Sequence, residues 1–319
     1  MYRLSARTVS LAPPHNFELR DVADLRRRRL IGMLTLNEQA YLRWYAKRRY
    51  TGRGEIVDLG CWLGSSTMPL ALGLRDNRAV PVHRQVIHAY DIFRWEDWMD
   101  ESVKGTSLEG RYRAGDSFLD EFQRRTAPWS TMVRPYAADL RAIGWTGGDI
   151  EFLFIDAMKS WDLTNSILKT FFPALIPGFS VIVHQDFAHY YTPWIHLVMY
   201  RLRRFFSPIC HIAESGSVVF RYQERIPDSI LNAAYSFASF TDHEIEAAFE
   251  HSVTLVAGRK RSNVMAAKVM IAVHQGNKQL ATRWLNTMRD HNYQKDKELL
   301  RVQDCVAGLS PEGSGAVSQ

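Results

Sequence analysis

Short apolar runs alternate with longer amphipathic segments along most of the chain. The apolar runs predict six strands, at residues 55–59, 86–90, 131–136, 150–156, 180–184 and 217–222. The amphipathic segments predict helices at residues 17–50, 65–74, 117–125, 163–172, 264–274 and 278–289. Strands and helices that alternate at this spacing indicate an α/β fold with a doubly wound, mostly parallel sheet.

The same pattern divides the chain into four parts. Residues 1–50 form an N-terminal helical segment, in which Thr35 and Glu38 have the spacing of a capping box. Residues 51–225 form the α/β domain, and residues 226–305 form a helical extension with a predicted antiparallel hairpin around Gly276. Residues 306–319 are rich in Gly and Ser and are predicted to be disordered.

The composition is that of an ordinary globular protein, with 319 residues of which 46% are hydrophobic and 23% charged. The formal net charge is +6, and we interpret the run of arginines at 26–29 as a solvated helix surface rather than a phosphate or nucleic-acid patch. Cys61, Cys210 and Cys305 are widely spaced, which argues against disulfides and zinc and indicates a reducing cytoplasm. No apolar run is long enough to cross a membrane.

The most informative segment is 54–67, where a predicted strand breaks into Gly-x-x-x-Gly and a helix follows. Gly60 and Gly64 permit positive φ angles and a close approach of the backbone to a ligand. The helix that begins near residues 65–67 leaves backbone N–H groups unpaired in its first turn. The segment therefore predicts a ligand-binding turn.

Three acidic residues stand at or near the carboxyl ends of predicted strands, namely Asp58, Asp91 and Asp156. In an open α/β sheet, ligands bind outside these strand ends, where the order of the strands reverses. We expect the three carboxylates to converge on one crevice. For any one of them alone, the alternative is that it caps a helix or opens a turn.

The spacing of the glycines excludes two common nucleotide sites. Trp62 takes the place of the middle glycine of a dinucleotide fingerprint, and no Gly-Lys-Ser/Thr follows, as it would in a phosphate-binding loop. The run from Val57 to Thr67 instead resembles the first motif of the class I S-adenosylmethionine-dependent O-methyltransferases, Val-Asp/Glu-x-Gly-x-x-x-Gly-x-Ser-Thr. The resemblance covers about residues 51–190 and implies a Rossmann-like catalytic domain.

The resemblance also implies that S-adenosylmethionine is the cofactor. Asp91 would accept hydrogen bonds from both ribose hydroxyls, because a carboxylate offers two acceptor oxygens to a vicinal diol. Asp139 would lie near the adenine, with capping of the next helix as the alternative. The residues of the implied cofactor site are Asp58, Gly60, Cys61, Gly64, Ser65, Ser66, Thr67, Asp91 and Asp139.

The end of the fourth predicted strand bears on the methyl acceptor. It reads Asp156-Ala-Met-Lys159, without the Asn/Asp-Pro-Pro-Tyr/Phe of adenine N-methyltransferases, and no cysteine follows a proline as in C5-cytosine enzymes. Nucleic-acid acceptors therefore lose support. Asp156-x-x-Lys159 resembles the motif of the catechol and caffeoyl-coenzyme A O-methyltransferases, in which the aspartate binds a divalent cation and the lysine lies beside the acceptor oxygen.

The end of the fifth predicted strand, His184-Gln185-Asp186, departs from the carboxylate pair of the metal-dependent members and is similar to that of macrocin-type sugar O-methyltransferases. Asp156, Asp186 and Gln185 are the candidate ligands of a Mg²⁺ ion, and the sequence leaves open whether a metal binds. Such an ion would lower the pKa of the acceptor hydroxyl, and Lys159 or His184 would take its proton. The alternatives are an exposed lysine and a hydrogen-bonded histidine at a strand end.

Aromatic residues in the loops after the second and fifth strands are predicted to recognise the acceptor, with core packing as the alternative: Trp95, Trp98, Tyr190, Tyr191, Trp194 and His196. The sequence thus predicts an O-methyltransferase acting on a hydroxyl of a small molecule or sugar, with no membrane partner. An RNA or protein methyltransferase is one alternative. A non-catalytic methyltransferase-like protein that binds partners through residues 263–290 is another, and a homo-oligomer stays open.

Overall fold

The computed structural model describes residues 19–80, 84–290 and 297–310. The strands are β1 (Glu55–Leu59), β2 (Ile87–Asp91), β3 (Val133–Ala137), β4 (Ile150–Ile155), β5 (Val181–His184), β6 (Phe206–His211) and β7 (Val218–Tyr222). The helices are α1 (Leu19–Arg28), α2 (Leu36–Arg48), α3 (Thr67–Arg75), α4 (Asp97–Val103), α5 (Leu119–Thr126), α6 (Trp161–Phe171), α7 (Pro193–Arg201), α8 (Asp228–Leu231), α9 (Asp242–Thr254), α10 (Lys260–His274), α11 (Lys278–Asp290) and α12 (Lys297–Gly308).

The strands form one seven-stranded sheet in the order β3-β2-β1-β4-β5-β7-β6. The first five strands pair in parallel, while β7 runs antiparallel to both β5 and β6. The chain winds outward in one direction from β1 to β3 and in the other from β4, so the order reverses between β1 and β4. The predicted α/β class with a doubly wound, mostly parallel sheet is confirmed.

The central strand β4 is buried along its whole length, including Glu151. The Glu151 carboxylate accepts backbone hydrogen bonds from Thr51 at 2.6 Å and from Arg53 at 2.8 Å. A buried carboxylate is tolerated only where such donors replace water. Glu151 therefore ties the segment that enters β1 to the amino end of β4.

Helices α2 and α3 cover one face of the sheet and pack closely on each other. The Thr35 and Glu38 capping box at the start of α2 is confirmed, with Thr35 N donating to Glu38 Oε2 at 2.7 Å. A Cβ atom added to Gly73 of α3 would lie 2.3 Å from the carbonyl oxygen of Arg43. Only glycine, which has no Cβ atom, lets the backbone of α3 come this close to the backbone of α2, so the distance between the two helices is fixed at this point.

The C-terminal helices belong to the body of the protein. Val264, Ala267 and Ile271 of α10 are buried in the same hydrophobic core as β4, β5 and α7. Val302 and Val306 of α12 pack with α10 and α11 in a smaller core. The tail that was predicted to be disordered from residue 306 onward is therefore helical at its start, where Val306 is buried in this core. Residues 311–319 lie outside the described residues.

Several elements differ from the sequence prediction: the helix predicted at residues 17–50 is divided into α1 and α2, and α7 was not among the predicted helices. The edge strand β6 was not predicted, and it contains Pro208, which cannot donate a ladder hydrogen bond and which adjoins an irregularity in the pairing with β7. Helix α4 forms in the segment after the second predicted strand, for which the sequence analysis predicted a loop with Trp95 and Trp98. Its seven residues are too few for a hydrophobic period to be distinctive.

Candidate functional site

The carboxyl ends of β1, β2 and β4 meet at the reversal of strand order. In the register of the sheet, Leu59 lies opposite both Tyr90 and Ile155, so Asp91 and Asp156 follow at the same level as Gly60. Gly60 has a φ of +85°, and a Cβ atom there would lie 2.8 Å from the carbonyl oxygen of Asp156. The glycine therefore lets the end of β1 pass close to the end of β4.

The turn after β1 is fastened to the end of β2 through Asp91. Trp62 N donates to Asp91 Oδ2 at 2.9 Å, and Phe93 N donates to Oδ1 at 2.8 Å. Each carboxylate oxygen can accept a second hydrogen bond. Burial raises the pKa of Asp91, and the negative charge of Asp156 acts in the same direction. The predicted ribose-binding residue thus lies at the crevice with acceptor capacity left.

Asp58 lies one position inside the edge and is completely buried. Thr67 Oγ1 donates to its carboxylate at 2.6 Å and Ser66 Oγ at 2.8 Å. Burial raises the pKa of Asp58 to about 7, a shift opposed by these two hydroxyl bonds and strengthened by the charges of Asp156 and Asp91. These three side chains join β1 to the start of α3 and hold the turn in place, and their contact with a cofactor stays a prediction.

Cys61 and Ser65, which complete the predicted cofactor motif, are also buried. Burial raises the pKa of the Cys61 thiol well above its usual value. The chain segment before α2 covers Ser65, since a Cβ atom added to Gly32 would overlap the Ser65 side chain. Gly64 has a φ of +85° and lies against Met68 and Phe122. The motif residues therefore shape the turn from within, and Asp91 faces its open side.

Asp139, the predicted adenine neighbour, lies in the loop after β3. Its carboxylate makes a two-pronged ion pair with Arg141, at 2.6 Å to Nη2 and 3.0 Å to Nε. The backbone N–H of Arg141 also donates to Asp139 at 2.9 Å. Hydrogen bonds from Arg141 lower the pKa of Asp139. This carboxylate closes its own loop, and the structure places it in no contact with Asp91.

Lys159 bridges two carboxylates beyond β4 and β5. Its ammonium group donates to Asp156 Oδ1 at 2.8 Å and contacts Asp186 Oδ2 directly. Burial raises the pKa of Asp156, and Lys159 opposes this shift through its charge and its hydrogen bond. The two carboxylates are only slightly exposed, whereas the lysine side chain is 43% exposed. The ammonium group is the accessible part of this cluster.

The arrangement does not fit the predicted Mg²⁺ site. Lys159 already forms ion pairs with both Asp156 and Asp186, and it takes the position between them that a cation would need. The backbone N–H of Gln185 donates to Ile155 O at 3.0 Å and so continues the pairing of β5 with β4. In the ranges that the structure describes, no group of three or more His, Cys, Asp or Glu side chains could hold a metal ion.

His184, the second candidate base, is completely buried at the end of β5. Its ring faces Phe220, and neither ring nitrogen has a hydrogen-bond partner. Burial lowers the pKa of His184 to about 3, and that of His196 on α7 also to about 3. His196 packs between Phe187 and Phe249. Both histidines therefore lie in the core, and the structure does not bring them to Lys159.

The aromatic residues predicted to recognise the acceptor divide into two groups. Trp95 is a core residue, stacked on Tyr112 and bonded through its indole N–H to Asp100 at 2.8 Å. Trp98 is 45% exposed and lies 5.3 Å from the ring of Trp62, beside the glycine turn. On this side, Trp98 is the side chain that a ligand can reach.

A second aromatic group surrounds the chain that follows Lys159. Trp194 donates its indole N–H to Met158 O at 2.6 Å, and Trp161 lies 6.3 Å from it. His274 at the end of α10 packs against Trp194 and the half-exposed Tyr191. Tyr190 is held to α12 through its backbone N–H, which donates to Glu298 at 3.0 Å. The sequence analysis did not predict that Trp161 and His274 belong to this group. For Trp161 a local signal existed, because it lies only two residues after Lys159.

Comparison with known proteins adds distant structural neighbours. No protein-family profile matches the chain, and no curated protein matches it. A methyltransferase from Geobacter sulfurreducens is 15% identical, with a TM-score of 0.39, over 67% of this chain and 91% of that one. CalS11, a calicheamicin methyltransferase, is 13% identical, with a TM-score of 0.42, over 65% and 82%. DesVI of Streptomyces venezuelae is 12% identical, with a TM-score of 0.30, over 75% and 91%. Similarities this distant leave the assignment of function to the chain's own residues.

No helix within the described ranges is both long and apolar enough to cross a membrane.

Proposed function

We propose that the protein is an S-adenosylmethionine-dependent methyltransferase. The observation that carries this proposal is the position of Asp91. Its carboxylate ends β2 beside the reversal of strand order, is oriented by two backbone N–H groups, and keeps acceptor capacity for a vicinal diol. A phosphate group would be repelled by this carboxylate, whereas a ribose without a phosphate on its hydroxyls suits it.

S-adenosylmethionine would supply an electrophilic methyl group on a sulfonium. Asp91 would hold the ribose, and the turn from Gly60 to Gly64 would bring backbone atoms to the remainder of the donor. Trp98, exposed beside Trp62, would cover the donor from the side of α4. Most of the acceleration would come from alignment, because the displacement at the methyl carbon requires the acceptor oxygen on the methyl–sulfur axis.

We further propose that the acceptor is a hydroxyl group of a small molecule or sugar, bound at the Asp156, Lys159 and Asp186 cluster. Lys159 would donate a hydrogen bond to the acceptor oxygen, since its ammonium group is the exposed part of the cluster. The hydroxyl proton would pass to Asp156, whose raised pKa makes it a better base than an ordinary carboxylate. The new carbon–oxygen bond forms as the methyl–sulfur bond breaks.

This assignment replaces the two bases considered from the sequence. Lys159 donates hydrogen bonds to two carboxylates, so its amine acts as a donor in this cluster and is not assigned the role of base. His184 has no exposed surface. No step is routed through a metal ion, because the lysine fills the position between the candidate ligands.

Calorimetric titration with S-adenosylhomocysteine tests the donor site. The wild-type protein should bind it with the same affinity in EDTA and in Mg²⁺, and absence of binding in both would refute the proposal. Incubation with S-adenosylmethionine and a panel of sugars, phenols and aliphatic alcohols then tests the acceptor. Formation of S-adenosylhomocysteine should depend on an added hydroxyl compound, and a protein that responds to amines or RNA alone would refute the hydroxyl acceptor.

A further inference from the structure

A large basic cavity lies at the opposite edge of the sheet from the candidate active site. Its volume is about 1230 Å³, and it opens among α1, the end of α2, the residues before β1 and the loop after α3. Because α3 returns from the carboxyl ends of the strands to their amino ends, its last residues lie at the far edge. The proposed methyl-transfer site does not use this cavity.

The cavity gathers most of the excess charge of the chain. Eight cationic side chains line it, Arg27, Arg28, Arg43, Lys47, Arg48, Arg49, Arg75 and Arg78, together with three carboxylates, Asp21, Asp24 and Asp76. Eight positive and three negative charges leave a net +5, compared with +6 for the whole chain. Like charges held this close repel one another, so an anion in the cavity would stabilise the arrangement.

The three carboxylates are already engaged by Arg43, which lies at the centre of the cavity wall. Arg43 contacts Asp21 at 3.0 Å, Asp24 at 2.7 Å and Asp76 at 2.9 Å, and its side chain is only 5% exposed. Each of these carboxylates also pairs with a second cation, namely Lys47, Arg28 and Arg75 respectively. The three carboxylates are therefore already shared among Arg43, Lys47, Arg28 and Arg75.

Three arginines in the lining keep their charge available. Arg27, Arg49 and Arg78 pair with no carboxylate among the residues that the structure describes. The guanidinium of Arg49 lies 5.0 Å from the centre of the Trp44 ring, which fixes its plane.

Two buried nitrogens in the lining are hydrogen-bond donors without an acceptor among the protein's own groups. Nε of Arg43 and Nε of Arg49 are both buried without a hydrogen-bond partner. A buried unsatisfied donor is unfavourable, and a bound water or ion is the ordinary explanation. Guanidinium groups present planar pairs of donors that match phosphate oxygens. The cavity therefore combines unused charge with unused donors.

We propose that this cavity binds a compact oligophosphate, such as the phosphate chain of a nucleotide or an inorganic polyphosphate. The aromatic residue in the lining, Tyr50, is 3% exposed and donates its hydroxyl to Gly54 O at 2.9 Å, so it offers no face for stacking a base. Recognition would fall on the phosphates alone. The concave shape favours a compact anion over an extended nucleic-acid strand.

Titration of the full-length protein with inorganic tripolyphosphate tests the proposal, with ATP and a single-stranded RNA of about ten nucleotides as the other two arms. Wild-type protein should bind tripolyphosphate and ATP, and the two should compete. The double variant Arg49→Gln/Arg78→Gln should weaken binding by about tenfold or more, since two charge-assisted contacts are lost. The control Arg225→Gln alters an exposed arginine outside the lining and should leave binding unchanged.

Thermal unfolding of both variants verifies that they are folded, and neither substitution removes an ion pair that holds the cavity wall together. Unchanged tripolyphosphate affinity in the folded double variant would overturn the proposal, as would failure of the wild type to bind. RNA that binds more tightly than tripolyphosphate, and loses affinity in the double variant, would also overturn it in favour of a nucleic-acid surface.

Discussion

The backbone N–H of Trp62 donates to Oδ2 of Asp91 across 2.9 Å, which joins the glycine turn after β1 to the carboxylate that ends β2. Trp62 has a φ of 40°, an unusual conformation for a residue other than glycine, and this hydrogen bond holds it there. The turn and the proposed ribose-binding carboxylate are therefore one structural unit. A change in either one alters the other.

Replacement of Asp91 by Ala should abolish detectable binding of S-adenosylhomocysteine. The variant loses the proposed bonds to the ribose and also the anchor of Trp62 and Phe93, each charge-assisted bond contributing about 1.5 to 3 kcal/mol. Asp91→Asn keeps one acceptor oxygen and should weaken binding by about 10- to 100-fold. Calorimetry gives both values. Asp139→Ala serves as the comparison, because that carboxylate bonds Arg141, and an equal loss there would contradict the special position of Asp91.

Lys159→Ala should create a response to Mg²⁺ that the wild-type protein lacks. Without the ammonium group, Asp156 and Asp186 are two adjacent carboxylates without a counter-charge, and a hard cation would be attracted to them. Addition of Mg²⁺ should raise the melting temperature of this variant by about 2 °C or more and leave the wild type unchanged. Lys159→Arg keeps the charge and should behave as the wild type. Stabilisation of the wild-type protein by Mg²⁺ would contradict this expectation and would support the metal site predicted from the sequence.

Asp58 should matter for stability more than for catalysis. Asp58→Ala leaves the buried hydroxyls of Ser66 and Thr67 without their acceptor, at a cost of about 2 to 4 kcal/mol in the free energy of unfolding. Asp58→Asn should cost less and lacks the ionisable group. The folded-state pKa of Asp58 is raised to about 7, so the contribution of Asp58 to the free energy of unfolding falls as the pH rises from about 4 to 7. Urea unfolding should show that the free energy of unfolding of Asp58→Asn rises relative to that of the wild type as the pH increases across this range.

The two buried histidines should destabilise the protein in acid. Their folded-state pKa values are about 3, below the value of about 6.5 in the unfolded chain, so the unfolded state binds more protons between these limits. Each histidine lowers the free energy of unfolding by about 1.4 kcal/mol per pH unit as the pH falls through this window. His196→Phe should reduce the slope by one such increment. Equal slopes of the free energy of unfolding against pH for the wild type and His196→Phe would contradict the burial of His196.

His274 should act on the acceptor and leave the donor unaffected. Its ring packs on Trp194 and Tyr191, beside the chain that carries Lys159. His274→Ala should raise the KM for the acceptor by about 2- to 10-fold, through looser packing of these aromatic rings, without changing the Kd for S-adenosylhomocysteine. His251→Ala, which loses a contact with Tyr200, is the matched control. Equal effects on both ligands would show that α10 only supports the fold.

Local sequence patterns were sufficient for most of the sheet. The predicted strand at 55–59 has the observed bounds of β1, because an apolar run that ends in a glycine turn needs no tertiary context. Strand β6 needed such context, since Pro208 is acceptable only because it lies on the outer edge.

The candidate site was predictable only in part. The meeting of Asp91 with Asp156 follows from the rule for parallel strand ends. The contact between Lys159 and Asp186 does not, because 27 residues separate them and both side chains could equally have faced solvent. His274 comes from α10, more than 100 positions beyond Lys159, and no local spacing relates the two. The burial of His184 was also not predictable from the sequence. Its position at the end of a strand indicated an accessible side chain, whereas the structure buries it completely.

The close approach at Gly60 changes how substitutions in this turn should be interpreted. A side chain at this position would push against the backbone of Asp156, so β1 and β4 would have to separate at the middle of the sheet. A mutational scan would therefore record Gly60 as intolerant even in an assay of folding alone. Loss of activity at this glycine reports the close contact between β1 and the end of β4, and it gives no information about the ligand outside them.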